Sequence, residues 1–368
     1  MILKRFRAQN FRNIEECDIE FLPGVNLLYG QNAEGKTNAV EGIYIFSRGK
    51  SFRKGDDADL VKFDSDGFRI SIEYENRDGN GTLEYAYFGK ERLRKKNGYK
   101  INKVTEMIGS FKSVLFFPDN LSLVKDGPEQ RREFLNVAIA QCYPSYMKYY
   151  ASYKKALENR NCLLKFIQKG FYVERAELQS WSKSMAEYAS YIYLMREEYT
   201  KKLSDYAKVI LSDISSSREE LVIRYQSDIK NDLSKREEVC REYERIFSEN
   251  IDKEISQGVS LYGPHRDDLK IYINEKEARS FASQGQQRSI VLAMKLAEGE
   301  VIKEIFSEYP VFLFDDVLSE LDEKRRAYVL SGAGERQFII TSCSREECSG
   351  FSQNEIDVSG GRYVSSYR

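Results

Sequence analysis

The stretch Gly30-Gln31-Asn32-Ala33-Glu34-Gly35-Lys36-Thr37 sets the terms for the rest of the chain. It reads G-x-x-x-x-G-K-[ST], a loop whose backbone N–H groups turn inward and form a nest for phosphate oxygens. Gly30 and Gly35 allow a backbone approach that a side chain would block. Lys36 supplies a positive charge to the outer phosphates, and the Thr37 hydroxyl suits magnesium. Val25 to Tyr29 reads as a buried strand before the loop, and Thr37 to Ile43 as a helix after it. The phosphates then sit at a helix N-terminus, and the chain is expected to be α/β.

The 368 residues are enough for two domains, or for one large domain with an insertion. With 41% apolar and 31% charged residues, a sizeable core is expected and disorder is not. The formal net charge of -1 gives no global field toward nucleic acid or membrane, so any such surface must be a local patch. The basic N-terminus (Lys4, Arg5, Arg7, Arg12) has no apolar run after it and does not read as a signal peptide. The longest apolar runs fall far below the ~20 residues of a membrane helix. Six scattered cysteines without C-x-x-C read as reduced thiols of a cytoplasmic protein, and one histidine does not supply a zinc site.

Residues 2–9 and 14–21 alternate as strands. Strand patterns recur at 68–75 and 82–88, a hairpin is signalled by Asn97-Gly98, and Val114 to Phe117 is a short buried strand. From about 121 to about 255 prolines nearly vanish and a helical spacing takes over, as in Arg132, Leu135, Ile139 and Cys142. The expected organisation is an ATPase lobe in two parts, 1–120 and 256–368, with an inserted helical lobe over 121–255.

A phosphate loop needs an acidic partner. Val311-Phe312-Leu313-Phe314-Asp315-Asp316 is an apolar strand ending in two acids. Asp315 at its tip is placed to hold magnesium, and Asp316 to orient or deprotonate an attacking water. Ser283-Gln284-Gly285-Gln286-Gln287-Arg288 opens a helical pattern and has the makings of a second anion site. Leu318-Ser319-Glu320-Leu321-Asp322 follows the acid pair as a tight loop into a helix.

The order of these segments resembles the ABC-type ATPases of the SMC class. Gly30 to Asn38, Phe116 to Leu121, Val124 to Arg132, Gly263-Pro264-His265-Arg266-Asp267-Asp268, Ser283 to Arg288 and Leu313 to Asp322 narrow the resemblance to the RecF family, over nearly the whole chain. That resemblance implies an ABC-type P-loop ATPase head, a mixed sheet with flanking helices and a β subdomain, carrying an inserted helical lobe. It implies that Gly30, Gln31, Asn32, Ala33, Glu34, Gly35, Lys36, Thr37 and Asn38 bind ATP, with Mg2+ at Thr37 and Asp315. Lys36, Asp315 and Asp316 would be catalytic. Ser283, Gly285 and Gln286 would contact ATP across an ATP-dependent homodimer, with Ser319 and Asp322 in the loop that communicates across it. The loop around Pro118 would sense the nucleotide, and Arg53 would link DNA to it. The implied function is a slow, DNA-stimulated ATPase switch in DNA replication, recombination, repair and the SOS response. It would bind double-stranded DNA, ss/dsDNA junctions and single-stranded DNA without sequence preference, and act with RecO, RecR and RecA in recombinase loading.

Lys90, Arg92, Arg94, Lys95, Lys96 and Lys100 crowd one hairpin opposed only by Glu91, a candidate DNA surface that reads phosphates rather than bases. His265 and Arg266 read as structural, positioning Asp267 or the signature loop across the core. Three alternatives compete: an SMC-like chromosome clamp head, a transporter ATPase and an ATP-dependent nuclease whose extra metal-binding carboxylates would be Asp56, Asp57 and Asp59. The inserted lobe is too short for a clamp's arm, no transport-type coupling segment is visible, and the three aspartates read better as a loop or helix cap.

Overall fold

In a computed structural model, residues 1–231 and 233–367 are described. The elements in chain order are β1 (Ile2–Phe11), β2 (Ile14–Glu20), β3 (Val25–Tyr29), α1 (Lys36–Arg48), β4 (Gly67–Asn76), β5 (Gly79–Phe88), β6 (Glu91–Lys96), β7 (Tyr99–Ile101), β8 (Ser113–Phe116), α2 (Ser122–Lys125), α3 (Pro128–Cys142), α4 (Pro144–Gln168) and α5 (Arg175–Ser215). They continue with β9 (Leu221–Gln226), α6 (Arg236–Glu249), α7 (Ile251–Gln257), β10 (Asp268–Ile273), β11 (Lys276–Glu277), α8 (Ala278–Phe281), α9 (Gln284–Phe306), β12 (Val311–Asp315), α10 (Glu323–Ser331), β13 (Gln337–Ser342), β14 (Ser352–Ser359) and β15 (Arg362–Tyr367). Two compact units result: 1–124 with 206–220 and 282–368, and 125–205 with 221–281.

The first unit has two six-stranded sheets. One, in the order β15-β14-β3-β13-β12-β8, is parallel from β14 to β8, with β15 antiparallel at its edge. Its central strands are near-continuous apolar runs, as a sheet covered on both faces requires, and every residue of β3, β12 and β13 is buried. The other, in the order β2-β1-β4-β5-β6-β7, is a fully antiparallel meander. Its inward residues alternate along each strand, with Phe6, Phe11, Phe68, Ile70, Ile72 and Tyr85 in the core. Helix α1 packs on strands of both sheets. This explains why its sequence is apolar around most of its circumference, with Ala39, Val40, Ile43, Tyr44, Ile45 and Phe46 all buried.

Because β3, β8, β12 and β13 run parallel, their C-terminal ends share one edge. Four loops meet there: the phosphate loop after β3, the turn from Phe117 after β8, the acid pair after β12 and the segment from Cys343 after β13. Ligands of open α/β sheets bind at this edge.

The second unit joins α3, α4, the larger part of α5, α6 and α7 to a three-stranded antiparallel sheet in the order β11-β10-β9. This differs from the expected lobe over 121–255. Strand β9 lies inside the helix-rich stretch, and its hydrogen-bonding partner β10 begins at Asp268. The pairing brings residues 256–281 into this unit, so the G-P-H-R-D-D segment belongs here and not to the ATPase lobe. Helix α5 has 41 residues, about 60 Å, longer than the pattern from Lys183 to Leu211 suggests.

Candidate functional site

The phosphate loop joins β3 to α1 as its spacing predicts. A Cβ on Gly30 would stand 2.1 Å from the Val358 carbonyl oxygen of β14, so the strand beside the loop demands glycine. Gly35 sits at φ +114, where L side chains are strained, and a Cβ there would press on Asn13 and Tyr363. Ala33 also has positive φ (+69), so the loop holds one non-glycine residue in the left-handed region.

Lys36 is buried, and its ammonium donates to the Gly30 and Gln31 carbonyl oxygens at 2.6 and 2.8 Å. The Cys343 sulfur lies 3.8 Å away and donates to Asn32 Oδ1 at 3.0 Å. Among the described residues no carboxylate pairs with Lys36. A buried cation held by two carbonyl dipoles and a thiol, with no carboxylate beside it among the described residues, is poised for an anion.

The Thr37 hydroxyl donates to Asp315 Oδ1 at 2.9 Å, linking residues 278 positions apart. Thr341 at the end of β13 donates to the same oxygen at 2.8 Å and accepts from the Asp316 N–H at 2.9 Å. Burial pushes the Asp315 carboxyl above its usual range, against the two hydroxyls that stabilise its charged form. A cation between Thr37 and Asp315 would offset that burial. The donors are a hydroxyl and a carboxylate, hard oxygen ligands that fit magnesium. Asp316 is exposed just beyond them at φ +54.

Ser283 is the N-cap of α9. Its hydroxyl accepts from the Gln286 N–H at 3.3 Å, while the Gln286 side chain accepts from the Ser283 N–H at 2.9 Å. The Gly285 carbonyl accepts from Ser289. Arg288 pairs with Glu320 at 3.3 Å, and Arg325 of α10 donates to Ser289 at 2.8 Å. The start of α9 is thereby tied to the loop holding Ser319 and Asp322, and Asp322 is itself the N-cap of α10. After β8, Phe117 packs its ring 4.9 Å from that of Phe52, joining the turn at Pro118 to the basic loop after α1.

Of the basic candidates, the structure brings only Arg53 to the phosphate loop's helix. It donates to Asn38 Oδ1 at 2.9 Å and to Glu41, which is fully buried, at 3.3 Å. The hairpin cluster is not one unopposed surface. Arg92, Arg94 and Lys96 stand opposite Tyr87, Tyr85 and Leu83 on one face, while Lys95 stands opposite Glu84 and Lys100 on the other. Arg92 pairs with Asp57, Lys95 with Glu84 at 3.4 Å, and Arg94 lies over the Tyr85 ring. Strand alternation divides charges that are adjacent in sequence. Asp59 accepts from the Asp56 N–H, and no acidic or histidine cluster suited to a metal occurs among the described residues.

Sequence reasoning misses Asn13, Glu41, Thr341, Cys343 and Tyr363. Glu41 takes a bidentate pair from Arg12 at 2.7 and 3.0 Å and a hydrogen bond from Ser51. Its one signal is an acid in an otherwise apolar helical run. The others carry no local signal, because each matters through a partner far along the chain.

His265 Nε2 donates to the Ser260 carbonyl at 3.1 Å, Nδ1 of the neutral ring accepts from the Tyr153 hydroxyl at 2.6 Å, and burial lowers the histidine pKa to about 4. Asp267 receives Tyr225 and lies 3.5 Å from Arg196, which also donates to Tyr146, Pro264 and Asn136. These groups engage one another inside the second unit, as a structural role requires, although Asp267 Oδ1 is buried without a hydrogen-bond partner among the described residues.

A strand-loop-helix phosphate motif joined through Thr37 to an acid-tipped strand, in a parallel sheet backed by an antiparallel one, defines a P-loop ATPase head of the ABC type. The family described as RecF/RecN/SMC N terminal domain matches residues 2–359. DNA replication and repair protein RecF of Clostridium kluyveri is 39% identical over 343 residues, 93% of this chain and 92% of the relative. RecF of Clostridioides difficile is 37% identical over 364 residues, 97% and 96% of the two chains. A solved structure of the recombination mediator protein RecF with ATPrS, in the RecFOR pathway, superposes with TM-score 0.92 at 32% identity, covering 99% of this chain and 98% of that one. The RecF structure with ATP gives 0.90 at 33% identity, covering 100% and 97%. The chain belongs to the RecF family of DNA replication and repair proteins.

Proposed function

We propose that this protein is an ATP-dependent DNA-binding switch: ATP joins two copies on DNA, and slow hydrolysis releases them. The observation that carries the reading is the Thr37–Asp315 contact, which completes a nucleotide site from two distant segments. Solved relatives with ATP and ATPrS support the ligand. In this reading residues 30–38 hold the phosphates, and the ammonium of Lys36 moves from the loop carbonyls to the outer phosphate oxygens. Thr37 and Asp315 hold Mg2+, which when bound neutralises charge on the phosphates. Asp316 is the acid that orients the attacking water, and its short side chain suits slow turnover. Ser283, Gly285 and Gln286 present the N-terminus of α9 to the γ-phosphate of a second copy, with Ser319 and Asp322 beside them. DNA, double-stranded or at ss/dsDNA junctions, is held through phosphates by Arg53 and the hairpin residues Arg92, Arg94, Lys95 and Lys96, without base reading. RecR, RecO and the recombinase RecA are the expected partners, in the cytoplasm.

Light scattering without nucleotide, with ATP and with ADP, each with and without DNA, tests this. ATP should double the mass of the wild type but not of Lys36→Ala or Ser283→Arg. ATP binding with a mass that never changes would overturn the switch.

A further inference from the structure

The peptide bonds of the phosphate loop are held from the side away from the nest. Asn13, in the turn between β1 and β2, donates through Nδ2 to the Ala33 carbonyl at 3.1 Å. The Gly361 N–H, in the turn between β14 and β15, donates to the Glu34 carbonyl at 3.1 Å. The Tyr363 hydroxyl donates to the Gly35 carbonyl at 2.9 Å. Three consecutive carbonyls thus each have a donor from outside the loop. A fourth contact, from the Gly360 N–H to the Glu34 carboxylate, ties the same turn to the loop. The donors stand together: the position a Gly35 Cβ would take is 3.0 Å from both Asn13 Oδ1 and the Tyr363 hydroxyl oxygen, and that of a Gly361 Cβ is 3.1 Å from the Asn13 carbonyl oxygen.

A trans peptide is planar, so the N–H of each unit points opposite to its carbonyl. Fixing the carbonyls of Ala33, Glu34 and Gly35 on one side fixes the N–H groups of Glu34, Gly35 and Lys36 on the other, where a phosphate nest needs them. The same clamp offsets the left-handed backbone of Ala33, which an unsupported loop would relax. Burial pushes the Tyr363 phenol well above its ordinary range, so it stays a donor at neutral pH.

We propose that the phosphate nest is pre-organised by this outer clamp, and that Asn13 and Tyr363 are positioning residues of the nucleotide site. The inference rests on the nucleotide-binding reading above. It makes the last strand pair of the chain part of the site's machinery, with the loop and Tyr363 separated by 328 residues.

The test is calorimetric binding of MgATP, MgADP and inorganic pyrophosphate to the wild type, Tyr363→Phe, Asn13→Ala and the double variant, with thermal midpoints measured alongside. All titrations are run below the lowest midpoint. Tyr363→Phe removes one hydroxyl and keeps the ring. Each single variant should weaken all three ligands by a similar factor, roughly three- to tenfold, because the shared pyrophosphate unit is what the nest reads. The double variant should weaken them further. Variants that bind pyrophosphate and MgATP as tightly as the wild type, whatever happens to their midpoints, would overturn the clamp while leaving nucleotide binding intact. A wild type that binds none of the three would instead overturn the nucleotide reading, and the clamp with it.

Discussion

Lys36 and Arg196 both bury positive charge, and the fold treats the two differently. Arg196, fully buried in the second unit, is met on every arm of its guanidinium, by Tyr146, Pro264 and Asn136, with the Asp267 carboxylate at 3.5 Å. Lys36 in the first unit has two loop carbonyls, at 2.6 and 2.8 Å, and the Cys343 sulfur at 3.8 Å, with no carboxylate among the described residues. The first arrangement satisfies its charge within the fold; the second leaves it for an anionic ligand. The contrast separates a structural polar cluster from a binding site where a count of buried charges alone would not.

Arg196→Ala leaves Asp267 buried without its cation and should cost about 3–5 kcal/mol of stability, read from the denaturant midpoint, while the folded protein still binds MgATP. A loss of nucleotide affinity with unchanged stability would reverse the roles assigned to the two regions.

His265 tests the same cluster through pH. Its folded pKa is lowered to about 4 from 6.5, so its contribution to stability is present above about pH 6.5 and is lost as pH falls toward 4. Asp267, raised to about 6 by burial, acts in the opposite sense, since protonating it relieves the fold as pH falls through that value. Comparing wild type with His265→Gln isolates the histidine. The difference between them should change by about 2–3 kcal/mol between pH 7 and pH 4.5, the wild type losing more on the acid side. Parallel stability profiles would remove His265 from the account.

Lys36→Ala sharpens the other side. It should weaken MgATP by about 10- to 150-fold, or roughly 1.5–3 kcal/mol, with little change in thermal midpoint, because the lost contacts are to carbonyls that water can serve. The smallest effect is expected at Ala33. Ala33→Gly relieves a positive φ and should raise stability by up to about 1 kcal/mol, less the extra backbone entropy of glycine in the unfolded chain. A fall in the denaturant midpoint would mean that the loop is not strained there.

Much of this is legible in the amino-acid sequence. The phosphate loop, the acid-tipped strand and most strands follow from local rules of spacing, alternation and turn chemistry. The resemblance of ordered segments supplies the family. What escapes is whatever depends on a partner far along the chain. Strand β9 reads poorly because its reason to be a strand, β10, lies beyond a long helical stretch. The hairpin cations look like one patch because sequence adjacency hides strand alternation.

The available chemistry is written in the order of residues alone: a glycine-bracketed loop, a lysine, a threonine and two acids, each of a type that phosphate and magnesium require. Folding is what brings Thr341 to share Asp315 with Thr37, and Asn13 and Tyr363 to hold the loop from behind. Local sequence sets which backbone conformations are cheap. Long-range hydrogen bonds, formed when parallel strands bring their ends to one edge, set which of those conformations is kept.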